Sequence, residues 1–254
     1  MAWVIGMVST IPLRKEASHR SEMVSELLFG ELAEVIETNN GFTKLKCLYD
    51  GYEGWCQSNQ LSPITEAEGF LNNKQLVAEW TSELDFNGRP MYVSFGSPLA
   101  VFQNGKSQIN KFSITFHGVN WDSTKAVFSS DSIQAIANKF INTPYLWGGR
   151  SVFGIDCSGF VQQVFRFFNK PLPRDASQQA IIGEVVGFLQ EVQCGDLAFF
   201  DNEDGRITHV GLLFNSDTII HAAGKVRIDK IDNMGIVNTD TGERTHKLRI
   251  IKRY

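Results

Sequence analysis

The sequence is short of the features that mark several protein classes. It has four cysteines in 254 residues, Cys47, Cys56, Cys157 and Cys194, and no two are spaced C-x-x-C. A zinc site is thereby disfavoured, and neither metal nor other cofactor is expected. Cys47 and Cys56 flank a hairpin that a disulfide would span, but free thiols in a core are the preferred reading. No stretch approaches the ~20 apolar residues that cross a bilayer. Residues Ala2–Val8 lack the basic region and cleavage site of a secretory signal. Basic clusters are missing too. The net charge is -4, and Arg249–Arg253 alternates with isoleucine like an edge strand. No nucleic-acid or membrane partner is therefore expected, and a reduced, cytoplasmic, monomeric protein is the natural expectation.

What is present fits ordinary globular domains: 43% hydrophobic and 20% charged residues, with length for two or three domains. The first half reads as short strands and turns. Val4–Thr10 starts extended. Two strand signals, Leu27–Leu32 and Ala33–Glu37, surround Gly30-Glu31. Phe42–Cys47 alternates with period two after the turn Asn40-Gly41, and Asp50–Cys56 follows with two aromatics. Five short strands over residues 1–63 suggest a small barrel. Pro63–Asn73 reads as a connector. Met91–Val93, Leu99–Phe102 and Phe112–Phe116 repeat the texture, with Asn104-Gly105 as a turn. Gly96-Ser97-Pro98-Leu99 resembles Gly30-Glu31-Leu32 in its place within the module. Residues 64–126 are read as a second, diverged barrel.

The texture changes at Ser130. Asp131–Ile141 is helical in pattern, with Ile133, Ile136, Ala137, Phe140 and Ile141 on one face and Ser130 or Asp131 as cap. A second helix follows Cys157, burying Phe160, Val161, Val164, Phe165 and Phe168. Strand signals then cluster at Asp196–Phe200, Ile207–Phe214, Thr218–Ala222 and Leu248–Lys252. Helices first and an antiparallel sheet afterwards make residues 127–254 an α+β domain.

Chemistry concentrates there. Cys157 opens an apolar helix after the glycine-rich approach Tyr145-Leu146-Trp147-Gly148-Gly149. A thiol at that end feels the positive pole of the helix. Two histidines follow, in Thr208-His209-Val210-Gly211 and Ile220-His221-Ala222. Thiol, imidazole and a third polar group suit acyl transfer, with Cys157 attacking, His209 moving the proton and His221 orienting His209. The backbone N–H of Cys157 and the phenol of Tyr145 are candidate oxyanion donors. Ser158 has no base of its own, so a serine mechanism is disfavoured. His19, His117 and His246 fall outside every motif and read as surface or core residues.

These pieces, with Asp156-Cys157-Ser158-Gly159 and Gly195-Asp196-Leu197, make residues 130–254 resemble the NlpC-type cell-wall cysteine peptidases, a papain-like family. The first half is similar to bacterial SH3 modules. Two such modules before the peptidase resemble the γ-D-glutamyl-L-diamino acid endopeptidases. The fold so implied is multi-domain: two small all-β SH3-like barrels, then an α+β papain-like domain.

The resemblance also implies a substrate, a murein peptide L-Ala-γ-D-Glu-diamino acid, with diaminopimelate or lysine third. It assigns Asp175 to the L-Ala ammonium, Arg174 and Ser158 to the D-Glu side, and Asp156 to the substrate backbone, with Trp147 in the cleft. Glu22 and Tyr52 of the first module are assigned to the L-Ala amine, Glu26 or Glu31 being substitutes for Glu22. Ala176 stands where relatives often carry a hydroxyl. The bland alternative for Arg174-Asp175 is a surface ion pair of 0 to about 1 kcal/mol. A non-catalytic wall-binding protein and a papain-like acyltransferase are the rival functions. A protease of ordinary proteins is least favoured.

Overall fold

The computed structural model describes residues 2–65, 70 and 73–254. It divides into two compact units, one of Met1–Ala126 with Trp147–Phe153 and Arg166–Pro171, the other of Val127–Leu146, Gly154–Phe165 and Leu172–Tyr254.

The first unit opens with seven strands: β1 (Trp3–Gly6), β2 (Thr10–Arg14), β3 (Met23–Leu28), β4 (Leu32–Asn39), β5 (Phe42–Cys47), β6 (Glu53–Gln57) and β7 (Leu61–Ile64). They form one sheet in the order β3-β2-β6-β5-β4-β1-β7. Alternation along β2 and β5 turns Ile11, Leu13 and Leu45 inward with Leu27, Ala33, Cys47 and Cys56, and both cysteines are free. Asn40 and Gly41 both have positive φ, 46° and 80°, as the two-residue hairpin turn from β4 to β5 requires. Pro63 lies within β7, opposite Val4, so the expected connector starts later than its sequence suggests. Its residues 66–69 and 71–72 lie outside the described residues.

Six further strands follow: β8 (Gln75–Val77), β9 (Thr81–Phe86), β10 (Arg89–Ser94), β11 (Lys106–Ile109), β12 (Phe112–Phe116) and β13 (Asn120–Asp122). They make a four-stranded sheet, β10-β9-β12-β11, and the pair β13-β8. Leu99–Phe102, expected as a strand, is instead turns. Pairing stops at an isolated bridge between Pro98 and Leu76, and the run bends through the bond from Phe102 N–H to Leu99 O, while Leu99, Val101 and Phe102 still fill the core. The repeat read at Gly30 and Gly96 has a structural counterpart. Gly30 bonds to Gly6 O and Gly6 to Glu31 O, while Gly96 bonds to Val77 O and Val77 to Ser97 O.

The same unit holds a buried ion cluster. Glu31 accepts from Arg150 Nη1 and Nη2 at 3.0 and 3.1 Å, from Arg166 and from Leu28 N at 2.9 Å. Arg150 lies in β14 (Arg150–Ser151), and its backbone N–H donates to Glu26 Oε2 at 2.7 Å. The Tyr49 ring lies under both guanidiniums, at 4.3 and 5.2 Å. Burial alone would raise the Glu31 pKa, but Arg150 and Arg166 hold it below the ordinary value.

The second unit begins with α1 (Ser130–Asn138). Its cap is Ser129, one residue earlier than expected, through Ser129 Oγ and Ser132 N. The helix stops short of Ile141 because Lys139 N–H and Phe140 N–H turn back to Ile136 and Ala137. After β15 (Gly154–Ile155), α2 (Cys157–Arg166) and α3 (Ala176–Gln179) come seven strands. These are β16 (Glu184–Val186), β17 (Leu197–Asp201), β18 (Ile207–Leu213), β19 (Thr218–Ala223), β20 (Lys225–Asp232), β21 (Gly235–Val237) and β22 (Arg244–Arg253). The order is β16-β22-β17-β18-β19-β20-β21, and β22 also pairs with β21, so six strands close on themselves. The closed face is filled by Ala198, Phe200, Leu213, Ile219, Ile231, Ile236 and Ile251. Arg249–Arg253, which read as an edge, is paired on both sides, with Lys252 opposite both Val185 and Leu197. The edge belongs to β16. Among the described residues, no helix is long and apolar enough to cross a membrane.

Candidate active site

Cys157 is the first residue of α2, and Asp156 caps that helix. Asp156 Oδ1 accepts from Gly159 N at 2.7 Å, and its carbonyl accepts from Phe160 N at 2.9 Å. The carboxylate thus satisfies one of the donors that a helix start leaves open. Arg174 forks onto the same carboxylate, Nη1 to Oδ1 at 3.0 Å and Nη2 to Oδ2 at 2.6 Å, and also donates to Ser158 Oγ at 2.9 Å. Arg174 is therefore a buried partner of Asp156, not one half of a surface pair with Asp175. Asp175 precedes α3 and is half-buried.

The Cys157 thiol accepts from the backbone N–H of Val210 and of Ser158. Val210 is the neighbour of His209 in β18, so the sulfur sits at the strand that carries the imidazole. Burial, then the Asp156 charge, pushes the thiol up to about 12, against the pull of those N–H groups and of Arg174.

Register assembles the rest. Phe200 of β17 faces His209, Gly211 faces His221 of β19, and β19 pairs with β20. A Cβ on Gly211 would lie 2.9 Å from His221 Cβ and 2.6 Å from Ile219 Cδ1. Only glycine leaves the two histidines room to meet. His209 Nε2 is 2.8 Å from His221 Nδ1, and His221 Nε2 is 2.9 Å from Asp229 Oδ2. Asp229 also accepts from Arg227 Nε and Nη2 at 2.8 and 2.9 Å and from Thr239 N at 2.8 Å. Burial would raise its pKa, but bonds from His221, Arg227 and Thr239 hold it well below the usual carboxylate range. Burial, then His221 and His246, keeps His209 well below the ordinary imidazole value.

Proton positions follow from these partners. An ionised Asp229 only accepts, so His221 carries hydrogen on Nε2. When both imidazoles are neutral, His221 Nδ1 accepts from His209 Nε2–H. His209 Nδ1 then keeps its lone pair free, which is the requirement for a general base.

Tyr145 is positioned by its N–H on Gly224 O at 2.9 Å and a bridge to Ile155. Its phenol pKa is raised by burial, then by Cys157 and Asp156, so it stays a donor. The second unit therefore holds Tyr145, Asp156, Cys157, Ser158, Arg174, Asp175, His209 and His221. Trp147, Glu22 and Tyr52 belong to the first unit. There, Trp147 Nε1 donates to Glu22 Oε1 at 3.0 Å, and Tyr52 N donates to Asp50 Oδ1 at 3.0 Å. Glu26 and Glu31 are consumed by Arg150.

Sequence reading missed Asp229 and misplaced His246. Asp229 lies in a strand whose apolar residues Val226 and Ile228 point to the other face. His246 is no bystander: its ring stacks on His209 with centroids 4.1 Å apart.

A helix-borne thiol beside a strand-borne imidazole, backed by a second imidazole and a carboxylate, defines the class of cysteine peptidases. The sequence profile of the NlpC/P60 family matches residues 142–245, and that of the bacterial dipeptidyl-peptidase SH3 domain matches 13–61. The chain belongs to the NlpC/P60 family. It is 34% identical over 185 residues, 68% of its length, to a γ-D-glutamyl-L-lysine dipeptidyl-peptidase of Bacillus subtilis, and the match spans 60% of that relative. It is 31% identical over 132 residues to a Haemophilus influenzae protein named probable endopeptidase NlpC homolog, covering 51% of this chain and 69% of that one. The crystal structure of an NlpC/P60 family protein from Bacillus cereus superposes with a TM-score of 0.80, covering 99% of both chains at 20% identity. That likeness establishes the fold.

Proposed function

We propose that the protein is a cysteine peptidase that cuts the γ-D-Glu–diamino acid bond of free murein peptides and releases L-Ala-γ-D-Glu. The observation that carries the reading is the chain Asp229–His221–His209, ending on the strand whose Val210 N–H reaches the Cys157 thiol. The name of the Bacillus subtilis relative supports the bond and the dipeptide register.

In this reading Cys157 Sγ attacks the γ-carbonyl carbon of D-Glu while His209 Nδ1 takes the thiol proton. Both groups start neutral, since the thiol is held high and the imidazole low. Attack and proton transfer are therefore coupled: the S–C bond forms as the proton reaches His209, leaving a tetrahedral oxyanion and an imidazolium. The Cys157 N–H and the Tyr145 phenol stabilise the oxyanion. The C–N bond breaks as His209 returns the proton to the leaving amine, leaving a thioester on Cys157. Water, deprotonated by His209, then attacks the thioester and restores the thiol.

On the substrate side, Arg174 and Ser158 serve the D-Glu side, Asp156 the substrate backbone and Asp175 the L-Ala ammonium. The assignment of Glu22 and Tyr52 to the L-Ala end, and of Trp147 to the cleft, is carried by the resemblance alone. A second SH3-like barrel over 64–126 is read from its strand texture and the Gly30/Gly96 repeat, and a monomeric state and cytoplasmic recycling of wall peptides complete the proposal.

Mass spectrometry of products from L-Ala-γ-D-Glu-L-Lys and L-Ala-γ-D-Glu-meso-diaminopimelate tests the reading, with Cys157→Ala alongside. Release of L-Ala-γ-D-Glu by the wild type alone is the expected result. Equal cleavage of N-acylated peptides contradicts the free-amine requirement. Binding of intact peptide without cleavage favours a wall-binding role, and capture of an added amine in place of water favours an acyltransferase.

A further inference from the structure

His246 lies in β22, outside every motif of the site, yet its ring lies almost flat on that of His209, the planes 26° apart. Phe200 approaches both rings, at 5.7 Å from His209 and 5.8 Å from His246. His221 stands edge-on to both, at 86° and 84°. His246 is itself held. Its Nδ1 is 2.8 Å from Thr245 Oγ1, and its backbone presses on Gly235, where any Cβ would collide with His246 O.

The bond to His221 fixes one atom of the His209 ring but not its plane, because the ring torsion of histidine is broad. A tilt about that bond would swing Nδ1 away from the thiol. We infer that His246 is a positioning residue for His209: its imidazole is the flat wall that holds the base in the plane where Nε2 stays on His221 and Nδ1 faces Cys157. The inference rests on the reading of Cys157 and His209 as nucleophile and base.

The wall is also ionisable, and this gives it a signature that shape alone lacks. Facing it are His209 of β18, His221 of β19 and Asp229 of β20. On its own strand, Arg244 is forked onto Asp232 of β20, and Lys247 lies opposite Asp201 of β17 and Gly235 of β21. Burial, then His221, pushes His246 down to about 4, so it is neutral at ordinary working pH. Only on acidification toward that value does it gain a positive charge, which then opposes protonation of His209. Removing it while keeping a flat ring lets His209 gain its proton at higher pH.

The test compares wild type, His246→Ala and His246→Phe in the full chain by kcat, KM and the pH profile on L-Ala-γ-D-Glu-L-Lys. A second readout, independent of substrate, is the rate at which iodoacetamide alkylates Cys157, followed by mass spectrometry with Cys157→Ala as blank. Expected for His246→Ala is a loss on the order of tenfold or more in kcat and in alkylation rate, with KM within about twofold of wild type. His246→Phe restores most of both, and its acid limb moves to higher pH. A folded His246→Phe protein no better than His246→Ala overturns the proposal. So does a His246→Ala protein with wild-type kcat, alkylation rate and pH profile. If the wild type leaves the peptide uncut while alkylation responds to position 246 as expected, the peptidase reading fails and the positioning role stands.

Discussion

Glu31 in the first unit and Asp229 in the second are both buried carboxylates saturated by nitrogen donors. Glu31 is clamped by two guanidiniums, Arg150 and Arg166, over the ring of Tyr49. Asp229 has one guanidinium, Arg227, and one imidazole, His221. Arginine cannot release its proton, so the Glu31 cluster is a fixed clamp. Histidine exchanges protons and passes orientation to the next ring. The same device, a desolvated carboxylate, is mechanical in one place and chemical in the other, and the partner decides which.

Breaking the chemical side at its end gives the largest effect. Cys157→Ala is expected to lower kcat by on the order of 10⁴-fold or more with a retained fold, measured by peptide hydrolysis and thermal unfolding. On the mechanical side, Glu31→Ala leaves two buried guanidiniums without their carboxylate. The expected cost is about 3–5 kcal/mol of stability by chemical denaturation, with kcat of the folded fraction within about twofold. A large loss of kcat at unchanged stability would erase the contrast between the two carboxylates.

Asp229→Asn sharpens it from the other direction. An amide at that position can donate to His221 and reverse the hydrogens along the chain. A fall in kcat on the order of 10²-fold at nearly constant KM is expected, against a modest change in unfolding free energy.

The smallest expected effect is on stability against pH. His209 binds its proton less readily folded than unfolded, so the unfolded chain holds more protons below the ordinary histidine value. The melting temperature should fall as pH drops through about 6.5. Asp229, depressed in the fold, stabilises above its unfolded value and adds a further fall below about pH 4. A melting temperature that rises on acidification through pH 6.5 contradicts the burial of a neutral His209.

Much of this was legible in local pattern. Phe42–Cys47 alternates as written and is a strand with those bounds. Phe160, Val161, Val164 and Phe165 are buried as the helical spacing predicts, while Phe168 is buried from the turn after the helix ends at Arg166, and His209 and His221 stand on adjacent strands as expected. The failures share a cause, which is that the deciding partner is distant in sequence. In Lys225–Asp232 the apolar positions Val226 and Ile228 advertise one face as inward, yet Ile228 is exposed while Asp229 on the opposite face is 2% exposed. What pulls Asp229 inward is His221 across the ladder, and no local period records that. His246 falls outside every sequence motif and reads only as a surface or core residue. Pairing of β22 with β17, which in turn pairs with β18, brings its ring to His209. Leu99–Phe102 has strand composition but no ladder partner, and its apolar side chains are buried from turns.

The central claim is that Asp229, through His221, leaves His209 with a bare Nδ1 facing the thiol. It is tested most directly by nitrogen-15 NMR of histidine-labelled protein near pH 8. The account expects His209 and His221 each to carry hydrogen on Nε2 and a bare Nδ1, with both signals disturbed in Asp229→Asn. Hydrogen on Nδ1 of His209 in the wild type would contradict it, since the ring would then point a donor, not a base, at Cys157.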